Sequence, residues 1–563
     1  AWSSAASDVY KRQVLFICPE LPDYDASSGG KRATRMLAML ARHYDVHIFA
    51  RGVKPEKYTR ELNRLGINVL HTNNYEDVLK ELPRVDVLLY AWYYTYYECQ
   101  KFTEIYPDAK IIMDSVDVHW VREERSLGVW EDLTEEKFLA NKKREIDAYK
   151  IADIIWAVTE PDADAIRKEI PYADVRVVSN VHKPILKGYP NPTGKNLLFI
   201  GGFRHYPNTS AAKKLAEEIF PKVLEKVPDA KLVIAGSRAP EEVEKLGELP
   251  GVEFAGFVEE DKMEELYKNT LLSVSPLLAG AGIKGKICEA ISYMTPVVTN
   301  AIGNEGINLE NEIGGLITDD YDEMAALIVN ALEGKYDLGK MAKKAQENLY
   351  ALVGPEVVKR EMLASISTPV SICIVTWNRL DLLKNCIESI LENTLYPNYK
   401  ILVYSNGCTD GTQEYLQETE NKHNNIVPIL SEKNDAFVIP NNEMMQMFPE
   451  NDVVLLNNDV TVTPGWLTGL HNAIYSSKDF GIAGGKVLFS SGKLQEFGGE
   501  QYAQGYGRKF GCNDDPNKEI YNHLRTTGYV SSCMMYIKRS TLDKVGVFDE
   551  LFHPCYSCLL YTS

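Results

Sequence analysis

GAGIKGKICEAISYMTPVVT, Gly280 to Thr299, sets two turn glycines, two lysines and one carboxylate between two apolar runs. The run ahead of it, Leu271 to Leu277, predicts a buried strand. Two glycines then turn the chain, and a helix is predicted to open near Lys284 with Glu289 one and a half turns in. That order brings backbone N–H groups, a lysine and a carboxylate around one small cavity. Free N–H groups at a helix start favour phosphate oxygens, Lys284 or Lys286 adds a positive charge, and a glutamate deeper in binds sugar hydroxyls in pairs. The ligand implied is a nucleotide diphosphate sugar.

The same letters contain a second pattern. Gly280, Gly282 and Gly285 fit the G-x-G-x-x-G spacing of a dinucleotide fold. There the ribose-binding acid closes the next strand, predicted at Pro296 to Thr299, where this chain has Asn300; Glu305 lies past it in a glycine-flanked loop. Nicotinamide and flavin are therefore set aside. Glu289-Ala290 followed by Thr295-Pro296-Val297-Val298, with Gly-x-Gly-Ile-Lys-x-Lys before it, resembles the donor-site signature of retaining glycosyltransferases of family 4, which have the GT-B fold. The resemblance implies Glu289 as a ribose ligand; Gly282, Ile283, Lys284 and Lys286 at the helix start are the candidates to surround the diphosphate. A second glutamate usual eight residues upstream is Ala281 here, so the contact to the donor's sugar ring does not carry over.

The net charge of −18 argues against a nucleic-acid partner, whose phosphates demand a basic face. No apolar run approaches the roughly 20 residues that cross a bilayer. Ten cysteines lie scattered, some inside apolar strands (Cys18, Cys373), which implies reduced core residues in a cytoplasm. The ends read differently from the rest. Asp8 to Gln13 and Cys558 to Thr562 are translations of one DNA element in opposite orientations, which resembles a transposon end used to tag sequencing libraries. Residues 1–13 and 557–563 are expected to be an artefactual leader and tail, with the C-x-x-C from Cys555 to Cys558 neither metal-binding nor redox-active.

What remains divides into three α/β domains, expected at 14–185, 186–366 and 368–556. In the first, Val14 to Cys18 predicts a strand, and Ser27-Ser28-Gly29-Gly30 leads into a helical pattern from Arg32 to His43, so Gly29 and Gly30 are candidates for the donor side. Strands are expected around Val85 to Tyr90, Ile111 to Met113 and Ile154 to Val158, and one long helix from Glu123 to Ala152 lining the cleft. His119 stands where the family often has a histidine reaching the donor sugar. Trp92, Tyr93, Tyr94, Tyr96 and Tyr97 form an aromatic cluster, either packing at a strand end or stacking on an acceptor or membrane edge. On the second reading, replacing Tyr96 and Tyr97 with serine weakens acceptor binding.

Asn191-Pro192-Thr193-Gly194 is a composition break and the expected hinge into the second domain. Gly201 to Asn208, GGFRHYPN, resembles the family's glycine-arginine loop; its usual arginine is Gly202 here, and Arg204 is the candidate substitute. Residues 355–364 are expected to form the terminal helix.

At Thr368-Pro369 the pattern starts again. Strand Val370 to Thr376 ends in Trp377-Asn378-Arg379, and strand Lys400 to Tyr404 closes on Ser405-Asn406-Gly407-Cys408-Thr409-Asp410. Val453 to Val460, VVLLNNDV, is a buried strand delivering a carboxylate to its tip. Together these resemble glycosyltransferase family 2, with a GT-A fold and inverting chemistry. The resemblance implies Asp459 as the ligand of Mg²⁺ or Mn²⁺, with Thr376, Asn378, Arg379, Ser405, Asn406 and Asn458 around the donor; Asp410 is either a second nucleotide contact or the cap of the following helix. Ser405 replaces the family's nucleobase-binding aspartate, and the general base is expected beyond Tyr556.

The reading is a two-module hexosyltransferase of bacterial cell-envelope polysaccharide synthesis. It is expected to be cytoplasmic, with a glycan or lipid-linked oligosaccharide acceptor and peripheral contact at the inner face of the membrane, and with no metal in the first module. Three alternatives stay open: one module is a glycan or nucleotide-sugar binding platform, the first is a nucleotide-sugar epimerase, or the chain is a scaffold.

Overall fold

The computed structural model describes residues 11–25, 27–127, 133–203, 206–278, 283–477, 479–502 and 507–553. The described residues form two compact units, one of residues 13–362 and one from residue 363 onward.

The first unit contains two parallel sheets. β1 (Gln13–Cys18), β2 (Asp45–Ala50), β3 (Ile67–Val69), β4 (Val87–Ala91), β5 (Lys110–Asp114), β6 (Ile154–Ala157) and β7 (Val175–Val177) order as 3-2-1-4-5-6-7. β8 (Asn196–Ile200), β9 (Lys231–Ala235), β10 (Val252–Gly256), β11 (Leu272–Ser275), β12 (Val297–Thr299) and β13 (Leu316–Ile317) order as 10-9-8-11-12-13. Central strands such as VLLYA and LSVS are buried along their whole length, as a sheet covered by helices on both faces requires. These are two Rossmann-like domains, the GT-B arrangement.

The second unit has β14 (Val370–Thr376), β15 (Tyr399–Asn406), β16 (Ile426–Ser431) and β17 (Asp452–Leu456) in parallel, ordered 16-15-14-17. Strand Met534–Ile537 then joins β17 antiparallel and carries β18 (Ile482–Gly484) on its far side. Mixed pairing of this kind distinguishes it from the two all-parallel sheets.

Among its parallel strands, each large sheet reverses its strand order once, between β1 and β4, β8 and β11, and β14 and β17. In open α/β sheets, ligands bind outside the carboxyl ends of the strands at such a reversal. The loops that carry the sequence motifs leave those strands.

Three local expectations are corrected. The helix after β1 runs Ser28–Leu40, so Gly29 and Gly30 lie in its first turn, not ahead of it; Ser27 is the N-cap and accepts from Gly30 N. The long helix expected over Glu123 to Ala152 is two, His119–Ser126 and Glu135–Tyr149. Thr134 caps the second by accepting from Lys137 N, a start signal inside the apparent charged face. The expected hinge at Asn191 to Gly194 lies after the chain has joined the second domain: Ile185 N and Leu186 N already donate to Ser292 O. Among the described residues, no helix is long and apolar enough to cross a membrane.

Candidate functional site

The loop after β11 enters helix Gly285–Ser292 with Lys284 at the N-cap. No side chain caps this helix start, so its first N–H groups are left to other partners. Lys284 is 8% exposed, and its Nζ lies 3.4 Å from Glu305 Oε2. Burial pulls the Lys284 ammonium down in pKa, against the opposing pull of Glu305. Two residues on, Lys286 donates to Asn208 Oδ1 and sits 4.8 Å above the Phe199 ring. Burial first, then the Lys284 charge, bring Lys286 down to about 7. Two lysines at one partly desolvated helix start have the chemistry to receive a multiply charged anion. Glu289 lies beyond them on the same helix, 3.5 Å from the hydroxyl of Tyr267, which stacks on Tyr293.

The β8 loop forms the other wall. Asn208 Nδ2 donates to Gly202 O at 2.8 Å, tying this loop to Lys286 through one amide. Gly236, at the end of β9, has φ +152, and a Cβ there would stand 1.8 Å from Gly201 O, so backbone meets backbone. Asn300, where a dinucleotide fold would place an acid, is buried: Nδ2 donates to Leu277 O at 2.6 Å and Oδ1 accepts from Gly303 N. A carboxylate cannot make the first of these bonds. Arg204 and Gly282 lie outside the described residues; Ile283 is buried against the second domain's core.

Facing this wall, the first domain contributes helix His119–Ser126. Glu145, 1% exposed, accepts from His119 N and Trp120 N at 3.1 Å each and from Tyr149 Oη at 2.7 Å, fixing the helix start. The His119 ring stands edge-on to Tyr93 and Tyr94, and its Nδ1 finds no hydrogen-bond partner among the described residues. In the last turn, Arg125 reaches the other domain and donates twice to Glu305, at 2.9 and 2.7 Å. Arg125 and Glu305 are 180 residues apart, and neither was singled out as a site residue from sequence.

At the β1/β4 reversal, Gly29 lies under Trp92 and Val116, and a Cβ on Gly30 would stand 2.6 Å from Asp23 N. Trp92 (φ 63) and Val116 (φ 60) both hold left-handed backbone, which a bulky or β-branched residue adopts only under constraint. Trp92 stacks on Tyr94. Tyr96 and Tyr97 turn elsewhere: Tyr96 packs edge-on to Tyr90, and Tyr97 donates to Arg144 O at 2.8 Å under the Arg144 guanidinium.

In the second unit, several motif residues wire the loops to one another. Thr376 Oγ1 donates to Asn378 O and accepts from Asn458 Nδ2 at 3.0 Å, joining the β14 and β17 loops. Asn378 and Arg379 are consecutive left-handed residues, and Asn378 Oδ1 accepts from Thr409 N. Asp410 accepts from Leu380 N and Thr412 Oγ1. The Asn406 amide is spent on the turn 434–436. Ser405 is wholly enclosed, and its hydroxyl meets no partner among the described residues. Arg379 is paired with Asp381. Asp459 stands exposed on the turn after β17. Among the described residues, no three His, Cys, Asp or Glu side chains converge as a metal cluster. One exposed carboxylate nonetheless fits a hard cation that takes its remaining oxygens from a diphosphate and water.

Residues 194–334 match the family model described as Glycosyl transferases group 1, and residues 371–546 match Glycosyl transferase family 2. The chain thus carries two glycosyltransferase domains in tandem. It is 26% identical over 218 residues to an uncharacterized protein, y4gI, of Sinorhizobium fredii, covering 37% of this chain and 24% of that protein. It is 28% identical over 195 residues to the O-antigen biosynthesis protein RfbC of Myxococcus xanthus, covering 33% and 15%. Among solved structures it is similar to Anabaena Alr3699/HepE in complex with UDP, at 13% identity and a TM-score of 0.49, over 63% of this chain and 99% of that one.

Proposed function

We propose that the chain is a bifunctional glycosyltransferase that builds a glycan from nucleotide diphosphate sugars, with a retaining first module and an inverting second one. The observation that carries this reading is the cation pair Lys284 and Lys286 at an uncapped helix start, placed at the β8/β11 reversal. In the first module the helix N–H groups and both lysines hold the diphosphate, whose charge grows as the sugar departs; stabilisation aimed at that growing charge lowers the barrier. Glu289 takes the ribose hydroxyl pair, and His119 orients the donor sugar from the facing domain.

Trp92 and Tyr94, rather than Tyr96 and Tyr97, form the acceptor wall, since Tyr96 packs edge-on to Tyr90 and Tyr97 spends its hydroxyl on Arg144 O. In the second module Asp459 would hold Mg²⁺ or Mn²⁺ together with the donor's phosphates; the ion when bound supplies charge to the leaving diphosphate. Thr376, Asn378 and Asn458 fix the loop that presents Asp459. A lipid-linked or growing polysaccharide acceptor at the inner face of a bacterial membrane agrees with the O-antigen description of RfbC.

Calorimetry with UDP and GDP tests the reading. It requires that one of the two bind and that Lys284→Ala weaken the binding; a chain that binds neither is a scaffold. Donor isomerised without acceptor would instead favour the epimerase.

A further inference from the structure

Glu305 was set aside as a ribose ligand, yet it is the residue on which the two facing walls converge. Its carboxylate takes a bidentate fork from Arg125 of the first domain and stands 3.4 Å from Lys284 of the second. The surroundings make this placement specific. Gly306 has φ +76, and a Cβ there would stand 2.7 Å from Thr159 Cγ2, so the segment is pressed against the first domain immediately after Glu305. Thr159 Oγ1 in turn donates to Asp162, and burial raises that carboxyl to about 6, with the charges of Asp117 and Glu305 pushing the same way. Around Lys284 the ionisable groups are therefore Glu305, Arg125, Asp162 and Lys286.

We propose that Glu305 is a positioning residue: pinned by Arg125 across the crevice, it holds the Lys284 ammonium charged and in place at the helix start where the donor's diphosphate is received. This rests on the reading of Lys284 as a diphosphate ligand. Glu305 does not touch the donor. It acts through Lys284, and Arg125 makes that action depend on the two domains facing each other. Burial alone disfavours the ammonium, so a fixed carboxylate beside it keeps the cation ready without occupying the helix N–H groups.

The test is a double-mutant cycle in the full chain, read by UDP and GDP calorimetry. Lys284→Ala and Glu305→Gln should each weaken binding about tenfold, and the double variant should be no weaker than Lys284→Ala, because Glu305 has nothing to position once the lysine is gone. Arg125→Ala should give a smaller loss of the same kind, about threefold, and it too should vanish in the Lys284→Ala background. Thermal melting of each variant separates lost folding from lost binding. Additive losses would overturn the proposal by showing that Glu305 works through another route. Tighter binding in Glu305→Gln would also overturn it, making the carboxylate a competitor of the diphosphate. If Lys284→Ala leaves binding unchanged, the donor reading itself fails.

Discussion

The loop after β11 and the loop after β17 occupy the same place in their sheets, outside the carboxyl end of a strand at a reversal of strand order, and they present opposite charge. The first offers Lys284 and Lys286 at a helix start; the second offers the exposed carboxylate Asp459 at a turn. Topology thus selects where a ligand binds, and side chains select how its charge is met. A site with its own cations receives a diphosphate directly, whereas a site with a carboxylate requires a cation as intermediary.

The comparison breaks most readily at Asp459. Asp459→Asn should lower metal-dependent transfer by the second module about 10²- to 10³-fold, while leaving nucleotide binding in the first module intact. Steady-state transfer with each donor and a titration of Mn²⁺ would measure it; unchanged metal dependence would remove Asp459 from the site.

Protonation sharpens the other side. Lys286, brought down to about 7 by burial and by Lys284, is largely neutral at alkaline pH in the empty protein, and a bound diphosphate favours its charged form. Binding above that pH must therefore take up a proton, and affinity should fall by up to about tenfold per pH unit as pH rises past 7. The same depressed pKa means that the unfolded chain binds more protons between about 7 and the ordinary lysine value, so this group's contribution to stability rises with pH over that window. Calorimetry in buffers of different ionisation enthalpy reads the proton count. Lys286→Met should abolish the uptake.

A smaller effect separates the acceptor wall from its support. Tyr94→Ser should weaken acceptor binding by about 1 kcal/mol, the worth of one ring contact, whereas Tyr97→Ser should lower the melting temperature instead, through the lost bond to Arg144 O. Equal effects on acceptor affinity would return Tyr97 to the site. Smallest in function is Gly30→Ala. Helix propensity alone predicts a gain in stability, but the added Cβ would meet Asp23 backbone at 2.6 Å, and a loss of about 1–3 kcal/mol is expected in denaturant unfolding.

Much of this architecture is legible in the chain because its signals are local. An apolar strand, a glycine turn and a helix start lie within thirty residues in each module, and β11 and β17 each stand at a reversal of strand order. The helix expected from Glu123 to Ala152 was misread because charge periodicity runs through the break, and only Thr134 marks the second start. The contact of Arg125 with Glu305 leaves no trace in sequence, since it depends on how two separate domains meet. The constraint on Trp92 and Val116 is likewise invisible, for both are ordinary strand-formers whose left-handed φ is imposed by tertiary packing. Asn406 and Asp410 show what motif position leaves unsaid: the Asn406 amide bonds the 434–436 turn, and Asp410 accepts from Leu380 N and Thr412 Oγ1.

Two crevices of like topology thus meet diphosphate charge in opposite ways on this reading. The most direct measurement is calorimetric titration of the full chain with UDP and with GDP, first in excess chelator and then in Mg²⁺ or Mn²⁺. Binding in chelator should be weakened by Lys284→Ala, and the additional binding on adding metal should be removed by Asp459→Asn. Binding that disappears entirely in chelator, or that metal leaves unchanged throughout, would contradict this reading.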